Sequence, residues 1–201
     1  TEKKQLLKKM GAELIEVDAV PYTNPNNYIK QSKVIAENLN KTNNHGVVWA
    51  NQFDNLENTK SHIETTAEEI WTQTGGEING FTCAVGTGGT LAGVSMGLKK
   101  RNKNIKIALS DPMGSSLFSF IKYKRLENKG NSITEGIGTG RITKNFEKAL
   151  VDEAFQTDDI EALNLIFDLV TSQNLILGGS SGINIAGAIK LAKKLGPGNN
   201  I

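Results

Sequence analysis

Apolar positions along the chain recur at two periods, and the switching between them predicts the order of elements. Spacing of three and four over residues 2–10, 28–39, 57–73, 90–101, 158–172 and 182–195 predicts helices. Alternation over 12–18, and short apolar runs at 46–50, 78–85, 105–110 and 175–177, predict strands. Gly11 would close the first helix, and the prolines and asparagines of 19–27 predict a loop. Residues 111–143 are dotted with glycine and serine and predict no regular element.

Short apolar strands alternating with longer helices indicate βαβ units. The expected fold class is therefore α/β, a mainly parallel twisted sheet with helices on both faces. Ligands of such sheets bind at the carboxyl ends of the strands, in the loops that lead into helices. Two loops have that position. GTGGT (86–90) follows the strand at 78–85, and GGSSG (178–182) follows the run at 175–177.

Composition narrows the classes of function. The 201 residues allow one ordinary domain or one and a half small ones, and 38% hydrophobic with 22% charged residues is ordinary for a soluble protein. A net charge of +2 with scattered lysines leaves no footprint for nucleic acid, and no apolar run is long enough for a membrane span. Cys83, the single cysteine, lies in an apolar stretch and reads as core; it excludes an internal disulfide and suits a reducing compartment. His45 and His62 lack companions at metal spacing, so no metal site is expected, and His62 reads as a hydrogen-bonded helix residue. With no initiator methionine, and an end one strand-like residue past the Gly196-Pro197-Gly198 break, the chain reads as an internal piece of a longer protein, without its N-terminal part and extreme C-terminus.

The GTGGT loop carries the strongest chemistry. The first N–H groups of a helix lack internal acceptors, and the helix dipole is positive at that end. Glycines give an anion access to those donors, and Thr87 and Thr90 add hydroxyls, so the loop suits a phosphate held by neutral donors. A nucleotide P-loop is excluded, because no Gly-Lys-Ser/Thr occurs. A dinucleotide site, with Asp111 at the end of the next strand as ribose ligand, would make the chain an NAD(P)-dependent oxidoreductase; Leu91 stands where its third glycine should be. Pyridoxal 5′-phosphate is the third candidate.

Several segments, in order, resemble the cysteine synthase and cystathionine β-synthase family of fold-type II pyridoxal-phosphate enzymes. They are EKKQLLKKMGAEL, NQFDNLENTKSHIETTAEEIW, the GTGGT loop, SDPMGSSL, ITEGIG and GGSSG, and together they span nearly the whole chain. The resemblance implies a two-domain protein, with residues 1–55 finishing a smaller mobile domain and 56–201 forming most of the larger cofactor domain. It implies that Gly86, Thr87, Gly88, Gly89 and Thr90 cup the cofactor phosphate and that Ser180 faces the pyridine nitrogen. Gln52 would help hold the substrate carboxylate, and Gly136 would line the site near the incoming nucleophile.

The implied activity is β-replacement or β-elimination on an activated serine such as O-acetylserine, with sulfide or a thiol as nucleophile, giving cysteine or a thioether such as cystathionine. A homodimer, in the cytoplasm or an organelle matrix, is implied as well. The family's Schiff-base lysine lies upstream of the matching segments, and none of the lysines here has its context, so the chain alone is expected to be inactive. A homologue that keeps the cup but serves as a binding partner is the non-enzymatic alternative. Arg141 departs from the family pattern; it is expected either to meet an anionic second substrate or to pair with a surface acid.

Overall fold

A computed structural model describes all 201 residues, which divide into two compact units, Thr1–Asn51 and Gln52–Ile201. The first holds helices α1 (Glu2–Lys9) and α2 (Tyr28–Thr42). Asn27 caps α2, its side chain accepting from Ile29 N at 3.1 Å and donating to Val20 O at 2.9 Å. Residues 12–18 and 46–50, expected as strands, form no ladder. Ile15 and Val48 stay in solvent, 61% and 93% exposed, while Leu14, Val47 and Trp49 are half-buried. Alternation selects a strand only where another strand completes its hydrogen bonds, and neither segment has one in this unit.

The second unit is built on three parallel strands, β1 (Gly80–Cys83), β2 (Lys106–Pro112) and β3 (Glu153–Thr157), in the order β1-β2-β3. Helix α5 (Gly89–Arg101) is the crossover from β1 to β2. Ahead of the sheet lie α3 (Glu57–Glu64) and α4 (Thr66–Gln73); after β2 comes α6 (Leu117–Tyr123), and after β3 come α7 (Asp159–Gln173) and α8 (Gly179–Leu195). Alternation along the strands sorts side chains between two layers. Ile107, Leu109, Phe81 and Cys83 join Leu91, Val94 and Leu98 of α5 in the main core. On the other face Ser110 Oγ donates to Ile183 O of α8 at 2.5 Å. The fold is thus α/β, with helices on both faces of a parallel sheet. Cys83 is core, and burial pushes its thiol up to about 12. No helix is long and apolar enough to cross a membrane.

Four further expectations need correction. The single helix over 57–73 is two, because the backbone breaks at Thr65 (φ −118°, ψ −71°). Residues 175–177 are not a strand; they join α7 to α8 without a ladder, and Ile176 is 84% exposed. The supposedly irregular stretch contains α6, and β3 was not expected, since as an outer strand beside β2 alone it carries only Ala154 and Phe155 as apolar residues.

Candidate active site

The chain leaves β1 at Cys83 and reaches the GTGGT loop at the carboxyl edge of the sheet. Gly88 caps α5 in the left-handed region (φ +90°), which disfavours any residue with a Cβ. What crowds the glycines is protein. A Cβ on Gly86 would lie 2.3 Å from Gly136 O, one on Gly88 2.7 Å from Phe146 N, and one on Gly89 2.0 Å from Asn58 Oδ1. The bare backbone therefore lets neighbouring segments close around the loop. The case for an anion rests on the helix N-terminus and the two threonines.

Both hydroxyls are held from α3. Asn58 Nδ2 donates to Thr87 Oγ1 at 3.0 Å and to Gln52 O at 2.8 Å. Gly89 N donates to Thr87 Oγ1 as well, at 3.3 Å. With both acceptor positions of Thr87 used, its own hydrogen is what it offers a ligand. Thr90 Oγ1 meets His62 Nε2 at 3.1 Å, and His62 Nδ1 meets Thr66 Oγ1 at 2.8 Å. Thr143 Oγ1 donates to Thr87 O at 2.6 Å and fixes the loop backbone from below. No carboxylate is among these partners, so the donor set fits a phosphate dianion.

The other expected residues gather around this loop. Gly136 touches Gly86, and Gly138 N donates to Val85 O at 2.8 Å, so the EGIG segment lies along the strand exit. Ser180 is in the first turn of α8, half-buried. Asn184 ties that turn to the sheet, donating to Ser180 O at 2.8 Å and accepting from Ala84 N at 2.7 Å. Gln52 is exposed, and its carbonyl, bonded to Asn58 and to Asn145 Nδ2 at 3.0 Å, places it one side chain away from Thr87. Arg141 pairs in a two-pronged contact with Asp54 (3.2 and 3.0 Å), the surface-acid alternative. Burial would raise the Asp54 carboxyl, but the Arg141 guanidinium and Lys144 N hold it below its ordinary value.

Asp111, the acid a dinucleotide site would need, is fully buried. Its Oδ2 accepts from Phe118 N at 2.7 Å, so it serves the start of α6, while Oδ1 has no hydrogen-bond partner. Burial, partly offset by that N–H and by Ser115, pushes it up to about 6. No cluster of His, Cys, Asp and Glu could hold a metal ion.

Sequence reasoning did not find Asn58, Thr143, Asn145 and Asn184, and it gave His62 no link to the loop. The bonds by which these residues reach the loop, the sheet and the Gln52 carbonyl from afar join points 28 to 100 positions apart. One signal was present: Asn58 and His62 stand four apart, on one helix face.

Comparison with known proteins agrees with this geometry. The family model described as "Pyridoxal-phosphate dependent enzyme" matches residues 1–201. Cysteine synthase 1 of Neurospora crassa is 44% identical over 98% of the chain, and a cysteine synthase of Dictyostelium discoideum 41% identical over 100%. These alignments cover 52% and 54% of the two relatives, so the chain spans about half the length of the curated relatives it matches. Among solved structures, an O-acetylserine-dependent cystathionine β-synthase from Helicobacter pylori superposes with a TM-score of 0.83 at 30% identity, over 100% of this chain and 61% of that one. O-acetylserine sulfhydrylase isoform 3 from Entamoeba histolytica gives 0.76 at 32% identity, over 94% of this chain and 53% of that one. A glycine–threonine loop opening a helix, a second turn tied to the same strand end, and a family match along the whole chain converge: the chain belongs to the pyridoxal-phosphate-dependent enzymes.

Proposed function

We propose that the full-length protein catalyses pyridoxal-phosphate-dependent β-replacement on an activated serine such as O-acetylserine, with sulfide or a thiol as nucleophile, giving cysteine or a thioether such as cystathionine. The observation that carries this reading is the union at one sheet edge of a phosphate-type loop (Gly86, Thr87, Gly88, Gly89, Thr90) with the Ser180 turn, through Asn184. Relatives and structural neighbours named for cysteine synthesis, or for dependence on O-acetylserine, support the substrate class.

In this reading Thr87, Thr90 and the first N–H groups of α5 hold the cofactor phosphate, and the helix dipole adds to their attraction. When bound, the cofactor supplies an electron sink for loss of the α-proton and departure of the β-substituent. Ser180 presents a neutral hydroxyl to the pyridine nitrogen and keeps that sink moderate, which suits elimination and replacement at Cβ. Gln52 orients the substrate carboxylate, and Gly136 leaves room for the nucleophile. In this reading the unit Thr1–Asn51 belongs to a smaller mobile domain and the unit Gln52–Ile201 to the cofactor domain. A homodimer in a reducing compartment, cytoplasm or organelle matrix, completes the reading. The Schiff-base amine comes from outside these 201 residues, so the segment alone is inactive.

The test is a titration of the full-length protein with pyridoxal phosphate, then O-acetylserine, then sulfide. A visible absorption band that shifts with O-acetylserine and returns with sulfide as cysteine forms is the expected result. A band that O-acetylserine leaves unmoved removes this substrate class, and a protein that gains no band removes the cofactor assignment.

A further inference from the structure

The two threonines of the loop share an arrangement that the loop itself does not explain. Each hydroxyl oxygen is met by a nitrogen from the same face of α3: Asn58 Nδ2 at Thr87 and His62 Nε2 at Thr90. The Asn58 amide can point only one way, because its Nδ2 also meets the Gln52 carbonyl, which can only accept. The helix comes this close because of Gly93, where a Cβ would stand 2.4 Å from His62 Cβ and 2.5 Å from Thr59 O. Beyond His62, Thr66 Oγ1 meets Nδ1 at 2.8 Å from the start of α4.

We propose that Asn58 and His62 are positioning residues that fix Thr87 and Thr90 as hydrogen-bond donors to the cofactor phosphate. The inference rests on the phosphate reading above and deepens it. A threonine hydroxyl has one hydrogen and can turn it toward any nearby acceptor. An N–H directed at its oxygen removes that choice, because the hydrogen must then point elsewhere. In the proposed chain His62 is the Nε2–H tautomer: Nε2–H donates to Thr90 Oγ1, the Thr66 hydroxyl donates to Nδ1, and the Thr90 hydrogen remains for the ligand. The loop is thereby ordered as an anion receptor before any anion arrives, and no hydroxyl has to reorient on binding.

The test uses the full-length protein and two probes that differ only in the phosphate, pyridoxal 5′-phosphate and pyridoxal. Binding is read by visible absorption and tryptophan quenching. His62→Leu should weaken pyridoxal phosphate roughly tenfold, the scale of one charge-assisted hydrogen bond, and leave pyridoxal within about twofold. His62→Gln, which retains an N–H at similar reach, should restore most of the phosphate preference. In a Thr90→Val background His62→Leu should have no further effect, and Asn58→Leu should behave likewise against Thr87→Val. Thr66→Val, near-isosteric and outside the loop, should cost a smaller part of the preference, about two- to threefold, and serves as the decisive variant if His62→Leu does not fold. Equal weakening of both probes, or an unchanged phosphate preference in these variants, overturns the proposal by making the role purely structural. If the unmodified protein binds neither probe, the functional reading fails first.

Discussion

The unit Thr1–Asn51 and the unit Gln52–Ile201 draw on the same kinds of sequence pattern and realise them differently. In the first, helices α1 and α2 form with an amphipathic face, and Asn27 caps α2, yet neither helix contains a buried residue. Leu6, Met10, Ile15 and Val48 all stand in solvent. In the second, every buried apolar side chain of the chain is found, from Ala67 to Leu191. Local signals such as capping and helical period act within one segment, so they operate in both units. Full burial and strand pairing need several segments packed together, and of the two units only the second achieves them.

Truncation of a core leucine gives the sharpest test of this contrast. Leu98 is wholly buried in α5, and Leu98→Ala should cost about 2–5 kcal/mol in denaturant unfolding. Leu6→Ala, at a residue 59% exposed, should stay within about 0.5 kcal/mol. Equal effects would break the comparison.

Asp111 gives a smaller and pH-dependent effect. Its folded value of about 6 exceeds the ordinary 3.8, so the folded protein keeps a proton that the unfolded chain releases between those values. Stability from this group is complete below about pH 4, falls as pH rises, and is lost above about pH 6. Asp111→Asn, which leaves an oxygen for Phe118 N, should therefore stabilise the protein by roughly 1–3 kcal/mol at pH 7 and have little effect near pH 4. A gain independent of pH would refute this origin.

Ion pairs supply the smallest effect. Arg141→Ala, which breaks a half-buried two-pronged contact with Asp54, should cost about 1 kcal/mol near neutral pH, and less as acid protonates Asp54. Lys4→Ala removes the exposed Lys4–Glu16 pair of the first unit and should leave the thermal midpoint unchanged.

The same division between local and distant causes explains what could be read from the sequence. Asp158, accepting from Glu161 N at 2.8 Å, starts α7 within one residue of the expected position, because a cap is a local device. The break at Thr65 was invisible, since nothing in the sequence spacing marks it. β3 escaped notice because its apolar content is low, and 175–177 was misread because an apolar run specifies burial without naming what buries it. At the site, the two glycine turns and their threonines were legible as types placed before helices. The asparagines and His62 that organise them act across long separations, and a single sequence gives no distances.

The crowding of Gly86, Gly88 and Gly89 by protein has a bearing on how inherited or engineered variants of this loop are interpreted. A substitution at any of the three pushes a side chain into Gly136, Phe146 or Asn58, and its first consequence is a misassembled loop. Lower abundance in cells, and rescue by cooler growth, would be the signature of such alleles. Threonine-to-valine exchanges at Thr87 or Thr90 leave volume nearly constant and remove a hydroxyl that Asn58 and Gly89 N, or His62, is bonded to, so they act through the loop's hydrogen bonds, whereas substitutions at the glycines act through crowding.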